Sequence, residues 1–427
     1  MTQFHIRPSV LHGRLAIPAS KSHTLRALVF SLMAHGTSRI SHFLPSPDTS
    51  AMIQGVRLLG ARVEASPTEL TIHGTGGKFS PADDVIDCGN SGQVLRFIGA
   101  LAALSPTYTI LTGDDSIRHK RPIQPLIDGL SRLGAFAVSS RGDGFAPIIV
   151  KGPLTKTKTS LSGEDSQPVS ALLIACSFLP HPIEIEVTHP GEKPWINLTL
   201  HWLNKFGIAC ENHSFERYRL AGNAHVKAFE YTVPGDFSSA AFPIAAALLT
   251  HSEITLHPID MDDPQGDKAI IPLLQQMGAH FVIDPKKQTL TVKKSPPFKG
   301  RRIDVNDFVD ALPILAVIAC FAEGETEIYN AAIARNKESD RIHCIALELK
   351  KMGADIEERP DGLRIRPSPL HGAHLETHHD HRLVLALSVA ALAATGESTI
   401  DGIEAADKTY PTFLADFRAI GAKIECV

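Results

Sequence analysis

The chain has 427 residues, with 42 Lys+Arg against 46 Asp+Glu and a formal net charge of −4, so it has no excess of cations to displace the counterions of a polynucleotide. Its 43% hydrophobic and 21% charged residues are globular values, which excludes a disordered or fibrous chain. At roughly 100–200 residues per domain, the length allows two or three domains.

The opening residues, Met1 to Pro8, show no basic stretch followed by an apolar run, so no secretory leader is expected. The longest apolar runs, such as 311–322, fall short of the ~20 residues a bilayer span needs. The six cysteines lie far apart, form no CxxC pair and sit partly inside apolar runs, so a reduced, cytoplasmic setting is expected.

In chain order, a polar marker followed by an apolar run alternates with an amphipathic stretch closed by glycine. Ser22 is followed by Gly60, Ser91 by Gly134, Ser166 by Gly207, Ser238 by Gly278, Asp310 by Gly353 and Asp380 by Gly421. The apolar runs include 169–179, 240–249, 311–322 and 383–394, and a helix apolar on every side is buried on every side. The amphipathic stretches show one apolar face, marked in the second copy by Ile123, Leu126, Ile127, Leu130 and Leu133. Each glycine precedes a short alternating run such as Arg62-Val63-Glu64, a pattern of helix, left-handed cap and strand. Both series advance by roughly 72 residues per step, and six steps span the chain. Three units per domain place a boundary at the turn Val233-Pro234-Gly235.

The residues before the buried helices are chemically loaded: Lys21-Ser22, Asn90-Ser91-Gly92, Asp165-Ser166-Gln167, Asp236 with Ser238 and Ser239, Asp310, and His379 to Arg382. A helix start offers free N–H groups and partial positive charge, and so attracts anions; simple capping accounts for any one Ser or Asp taken alone. Cations at such ends oppose the helix dipole, so Lys21, Arg121, Lys337, Arg341, Arg382 and Lys408 point to binding of several phosphate or carboxylate oxygens, although a solvated turn explains any single one. If the units are pseudo-symmetric, six such ends point inward and form a cleft for a highly anionic substrate. His371, His374, His378, His379 and His381 match no metal-ligand spacing, so no metal is expected. No GxGxxG, GxxxxGK[ST] or GxSxG element signals a nucleotide fold or a serine nucleophile.

The run from Ile17 through Lys21, Ser22 and Arg26 resembles the N-terminal signature of the 5-enolpyruvylshikimate-3-phosphate (EPSP) synthase family. Gly89 to Gly92, Leu111 to Asp115, Lys120 to Ile123, Val233 to Asp236, Lys337 to Arg341, Asp380 to Arg382 and Lys408 to Pro411 continue the resemblance in the family's order. It implies an α/β fold of two domains, each an inside-out barrel of three βαβαββ-type units, with the active site in the interdomain cleft. It further implies that the N-terminal segment completes the second domain, giving domains of 20–234 and of 1–19 plus 235–427.

The resemblance implies transfer of the enolpyruvyl group of phosphoenolpyruvate (PEP) to the 5-hydroxyl of shikimate-3-phosphate, with release of phosphate, by addition and elimination. It places Lys21, Gly92, Arg121, Gln167, Arg341, Arg382 and Lys408 around PEP, and Ser22, Arg26, Asp165, Ser166, Gln167, Trp195, Asp310 and Lys337 around the shikimate. Asp310 is then the base for the 5-hydroxyl, and Glu338 with Lys21 handles proton transfer at the PEP methylene. No cofactor or metal, nucleic-acid partner or membrane is implied, and a monomer is expected.

The chain departs from the family pattern at several positions. Asp165 and Glu192 stand where Ser is usual near the acceptor phosphate, and a carboxylate facing a phosphate costs energy unless it is turned away or neutralised. Trp195 replaces Tyr, Gln93 and Phe97 replace Thr and Pro, and Ala334 replaces Trp. A transferase acting on a UDP-sugar is the main alternative, but the loop Ser116 to Arg121 lacks the cysteine usual in that family. RNA-cyclase-like proteins share related units but need an adenylation site. A non-catalytic anion-binding repeat protein explains the buried helices, but not Asp310 and Glu338 beside so many cations.

Overall fold

The computed structural model describes residues 3–427 as a mixed α/β chain with many small sheets. Its α-helices are α1 (Lys21–Met33), α2 (Pro47–Leu58), α3 (Gly92–Ala102), α4 (Asp115–His119), α5 (Gln124–Arg132), α6 (Ser166–Ser177), α7 (Lys193–Lys205), α8 (Phe237–Leu249), α9 (Ile270–Met277), α10 (Leu312–Cys320), α11 (Arg341–Lys351), α12 (His381–Ala393) and α13 (Phe413–Ala419). The chain divides into two compact units, Ala19–Val233, and the N-terminal segment through Pro18 with Pro234–Val427.

Each unit contains three four-stranded sheets, and all six follow one pairing rule. In the second, Ile86–Asp87 runs parallel to Thr109–Thr112, which is antiparallel to Ile148–Lys151, itself antiparallel to Phe136–Ser139. The parallel pair needs a crossover, and α3 supplies it; α6, α10 and α12 do the same in their copies. Three copies close by borrowing a distant strand. In the first unit Glu230–Thr232 pairs parallel to Thr37–Ser41, with Tyr231 opposite Ile40. In the other unit Gln3–Arg7 lies between Ser398–Asp401 and Lys423–Cys426, while His12–Ala16 runs parallel to Glu253–His257.

The apolar runs form the cores. Every residue of α3, α8 and α10 is buried, as is all of α6 except Gln167. Truncating a buried leucine there to alanine would cost about 2–5 kcal/mol. The intervening helices are one-sided: α5 buries Leu126, Ile127, Gly129 and Leu130 and exposes the rest at least in part. The six glycines that close them all have positive φ, from +69° at Gly207 to +113° at Gly278, where a Cβ would strain the turn.

The helix starts differ in detail from the expected markers. Asp165, Asp236 and Asp380 are the caps of α6, α8 and α12, accepting from the backbone N–H of Gln167, Ser239 and Arg382 at 2.9, 2.7 and 2.9 Å. Ser22, Ser166 and Ser238 therefore lie inside the first turn, not ahead of it, and their hydroxyls are released from local capping. Asp310 lies in a 3-10 turn, Asn306–Ala311, because α10 begins only at Leu312 with Pro313 in its first turn.

Candidate active site

In the unit Ala19–Val233, the starts of α1, α3 and α6 are linked side chain by side chain. Lys21, the first residue of α1, places Nζ 3.4 Å from Oδ2 of Asp48 in the first turn of α2. The same oxygen accepts from the hydroxyl of Ser91, the cap of α3, at 3.0 Å. The Asn90 carbonyl and side-chain oxygens accept from Arg121 at 3.2 and 2.8 Å. Arg96 donates to the carbonyls of Gly92 and Pro122 at 3.2 and 2.9 Å and pairs with Asp165 at 3.0 Å. A Cβ on Gly92 would stand 2.7 Å from Arg96 Nη1, 3.1 Å from Gln167 Oε1 and 3.3 Å from Arg121 Nη1. Gly92 is thus the point where two guanidinium groups and an amide approach the backbone, and a side chain would crowd all three.

Arg26 is 2% exposed and turned inward. It donates to Thr199 Oγ1 at 2.9 and 3.1 Å, to the Ser22 carbonyl at 3.1 Å and to the Trp195 carbonyl at 3.3 Å. It therefore ties α1 to α7 and sets the positions of Ser22 and Trp195. Ser166, at the start of α6, donates its N–H and its hydroxyl to Glu192 Oε2, both at 3.1 Å.

In the unit containing Pro234–Val427, Arg341 is the hub. Its Nη1 donates to Asp310 Oδ1 at 2.7 Å, its Nη2 to Glu338 Oε2 at 2.9 Å and its Nε to Asp380 Oδ2 at 2.8 Å. Arg382 donates to the other Asp310 oxygen at 3.1 Å, and Lys408 donates to Glu338 Oε1 at 2.7 Å. The Ser339 hydroxyl adds a bond to Asp380 at 3.0 Å. Lys337 acts on Asp310 through its charge. Burial pushes the Asp310 carboxyl upward, but Arg382, Arg341 and Lys337 outweigh it and hold the group well below the usual carboxylate range. Arg341 is pulled down by burial and up by Asp380, Glu338 and Asp310, and the carboxylates win. Asp267 accepts from the Ser238 hydroxyl and is pushed up to about 7, chiefly by burial and then by the charge of Asp310.

Lys21, Arg96, Arg341, Arg382 and Lys408 are thus each paired with a carboxylate. Such a cluster is charged yet nearly neutral, and it can exchange internal partners for the oxygens of an incoming anion. Asp48, Arg96 and Asp267 belong to these networks without having been singled out as site residues in the sequence. The available signal was weak: Asp48 reads as an ordinary first-turn acid beside Pro47. The histidines disperse to other roles. His378 bonds to Glu348 at 2.8 Å and His374 pairs with Asp401 at 3.1 Å.

Residues 6–417 match the family described as EPSP synthase (3-phosphoshikimate 1-carboxyvinyltransferase). The chain is 44% identical over 428 residues to the 3-phosphoshikimate 1-carboxyvinyltransferase of Chlamydia abortus, covering 100% of this chain and 95% of that protein.

The chain belongs to the EPSP synthase family.

A relative of the same name in Methanocaldococcus jannaschii is 44% identical, with 97% of each chain covered. The EPSP synthase structure from Acinetobacter baumannii superposes with a TM-score of 0.83 at 28% identity, over 100% of both chains. The enolpyruvyl transferase NikO from Streptomyces tendae shares the fold with a TM-score of 0.81 at 19% identity, covering 100% of this chain and 99% of that one. Against this EPSP synthase background, both networks lie at the motifs that carried the resemblance: Lys21, Gly92 and Arg121 in one unit, and Lys337 to Arg341, Asp380 to Arg382 and Lys408 in the other. Among the described residues, no helix is long and apolar enough to cross a membrane.

Proposed function

We propose that this chain transfers the enolpyruvyl group of PEP to the 5-hydroxyl of shikimate-3-phosphate. The observation that carries this reading is the buried hub at Arg341, which joins Asp310 and Glu338, a base and an acid, to Arg382 and Lys408. Family membership and full-length relatives of that name support the reaction. The two units act as domains 20–234 and 1–19 plus 235–427, each an inside-out α/β barrel, and both networks serve one substrate pair.

Lys21, Gly92, Arg121, Gln167, Arg341, Arg382 and Lys408 hold PEP; Ser22, Arg26, Asp165, Ser166, Gln167, Trp195, Asp310 and Lys337 surround the acceptor. Arg26 acts through Ser22 and Trp195, to which it is bonded. The PEP methylene carbon takes a proton from Glu338, aided by Lys21, as Asp310 removes the proton of the 5-hydroxyl and its oxygen bonds to C2. The tetrahedral adduct then returns a methyl proton to Glu338 as the C–O bond to phosphate breaks, and the departing phosphate takes the proton held by Asp310. The cations stabilise the charge that develops.

With no substrate bound, Asp310 is too well stabilised to be a good base. When PEP oxygens take Arg341 and Arg382, those ion pairs weaken and Asp310 becomes more basic, so the first substrate readies the base for the second. The test is to mix the purified protein with PEP and shikimate-3-phosphate and follow phosphate release. Release confirms the reading. No release here, with release on substituting a UDP-sugar, overturns it.

A further inference from the structure

Asp165 and Glu192, the two carboxylates at positions where Ser is usual, are accommodated in different ways. Asp165 turns to Arg96 at 3.0 Å and caps its own helix. Glu192 sits at the cap position of α7 but gives α7 no side-chain cap bond. Its Oε2 instead accepts both the N–H and the hydroxyl of Ser166, at the start of a different helix, α6. The residue is 2% exposed.

The backbone holds it there. Glu192 has φ +46°, a left-handed conformation that is unfavourable for a non-glycine residue. Two backbone bonds fasten the surrounding loops together: Gly163 N–H to Thr188 O at 2.7 Å, and Gly191 N–H to Gly163 O at 2.9 Å. A Cβ on Gly163 would stand 2.3 Å from Val187 Cγ1, and one on Gly191 2.9 Å from Glu164 O, so neither glycine has room for a side chain. The strained turn delivers a carboxylate to a first-turn N–H and an adjacent hydroxyl, a donor pair matched to anionic oxygen.

We propose that Glu192 is a specificity-determining residue: an internal anion that competes with the acceptor's phosphate for the Ser166 donors. The phosphate takes Ser166 only when Glu192 leaves it. The enzyme therefore distinguishes phosphorylated from unphosphorylated acceptor less sharply than the same chain without this charge. The inference rests on the function proposed above.

The test compares the full-length protein with Glu192→Gln and Glu192→Ser, measuring binding of shikimate-3-phosphate and of shikimate by calorimetry, with KM for PEP as a check on the rest of the site. Gln keeps the size and an acceptor oxygen, and so guards against a folding defect in the Ser variant. Removing the charge should raise the preference for the phosphorylated acceptor about tenfold or more, with shikimate and PEP changed less than about twofold. An unchanged or reduced preference in both variants overturns the proposal. So does a structure of the bound complex in which Glu192 still holds Ser166 and the phosphate lies elsewhere. If all three proteins bind shikimate-3-phosphate but release no phosphate from PEP, the proposed reaction fails while the comparison of preferences still stands.

Discussion

Arg341 and Asp310 are joined at 2.7 Å, and Arg382 holds the second Asp310 oxygen at 3.1 Å, so the candidate base is gripped on both sides by cations assigned to PEP. We predict that Asp310→Asn lowers turnover by about 10²–10⁴-fold while KM for either substrate changes by only severalfold. Steady-state phosphate release checks this, and near-normal turnover would remove Asp310 from the chemistry.

Glu338 is shared between Lys408 at 2.7 Å and Arg341 at 2.9 Å. Glu338→Gln should cut turnover about 10²-fold or more and suppress exchange of the PEP methylene hydrogens with heavy water. Exchange at the wild-type rate would assign the proton transfer to another group.

Gly92→Ala should fold normally, because the atoms nearest the new Cβ are the ends of the Arg96, Gln167 and Arg121 side chains. Those groups must move, so KM for PEP should rise about tenfold or more, with a smaller change for the acceptor. Equal effects on both substrates would place Gly92 outside the PEP contacts.

Asp267 gives a pH prediction. An unfolded aspartate loses its proton near 3.8, whereas burial keeps the folded one protonated up to about 7. Between those values the folded state binds more protons, so this group's contribution to stability falls as pH rises from about 4 to about 7 and stays low above that. Asp267→Asn removes the penalty. Urea unfolding should show the variant gaining on the order of 1 kcal/mol or more over wild type at pH 8, with the gain shrinking at pH 5. A gain independent of pH would mean that the carboxyl does not titrate in this range.

Thiol chemistry offers a check on the cores. Cys426 is exposed, whereas Cys88, Cys176, Cys320 and Cys344 are buried, and burial pushes the Cys176 and Cys320 thiols up to about 12. Native protein should react rapidly with a thiol reagent at Cys426 alone, and at all six cysteines after unfolding. Rapid native labelling of Cys176 or Cys320 would contradict the packing of α6 or α10.

Much of the fold was legible because it is periodic. The run 383–394 became α12, 240–249 became α8, and all six expected glycine caps have positive φ. The cations of the site were legible because they sit where a helix dipole disfavours them. Their partners were not. Asp48 looks like a routine helix-start acid, and only the tertiary structure brings it to Lys21 and Ser91. Glu192 was visible as a departure, but its partner lies on another helix, and no local pattern reports such a contact. Asp310 precedes its buried helix as the pattern implies, but no local signal shows that a 3-10 turn carries it there.

The strand Gln3–Arg7 occupies an inner position between Ser398–Asp401 and Lys423–Cys426. On a ribosome it is made almost 400 residues before either of its neighbours. At about 5–20 residues per second it waits roughly 20–80 s for them, while everything in Ala19–Val233 has already emerged. The unit encoded in one continuous stretch can mature during translation; the other can be completed only once Lys423–Cys426 has emerged. Throughout that interval Gln3–Arg7 carries two open edges, which leaves it in need of shielding from neighbouring chains.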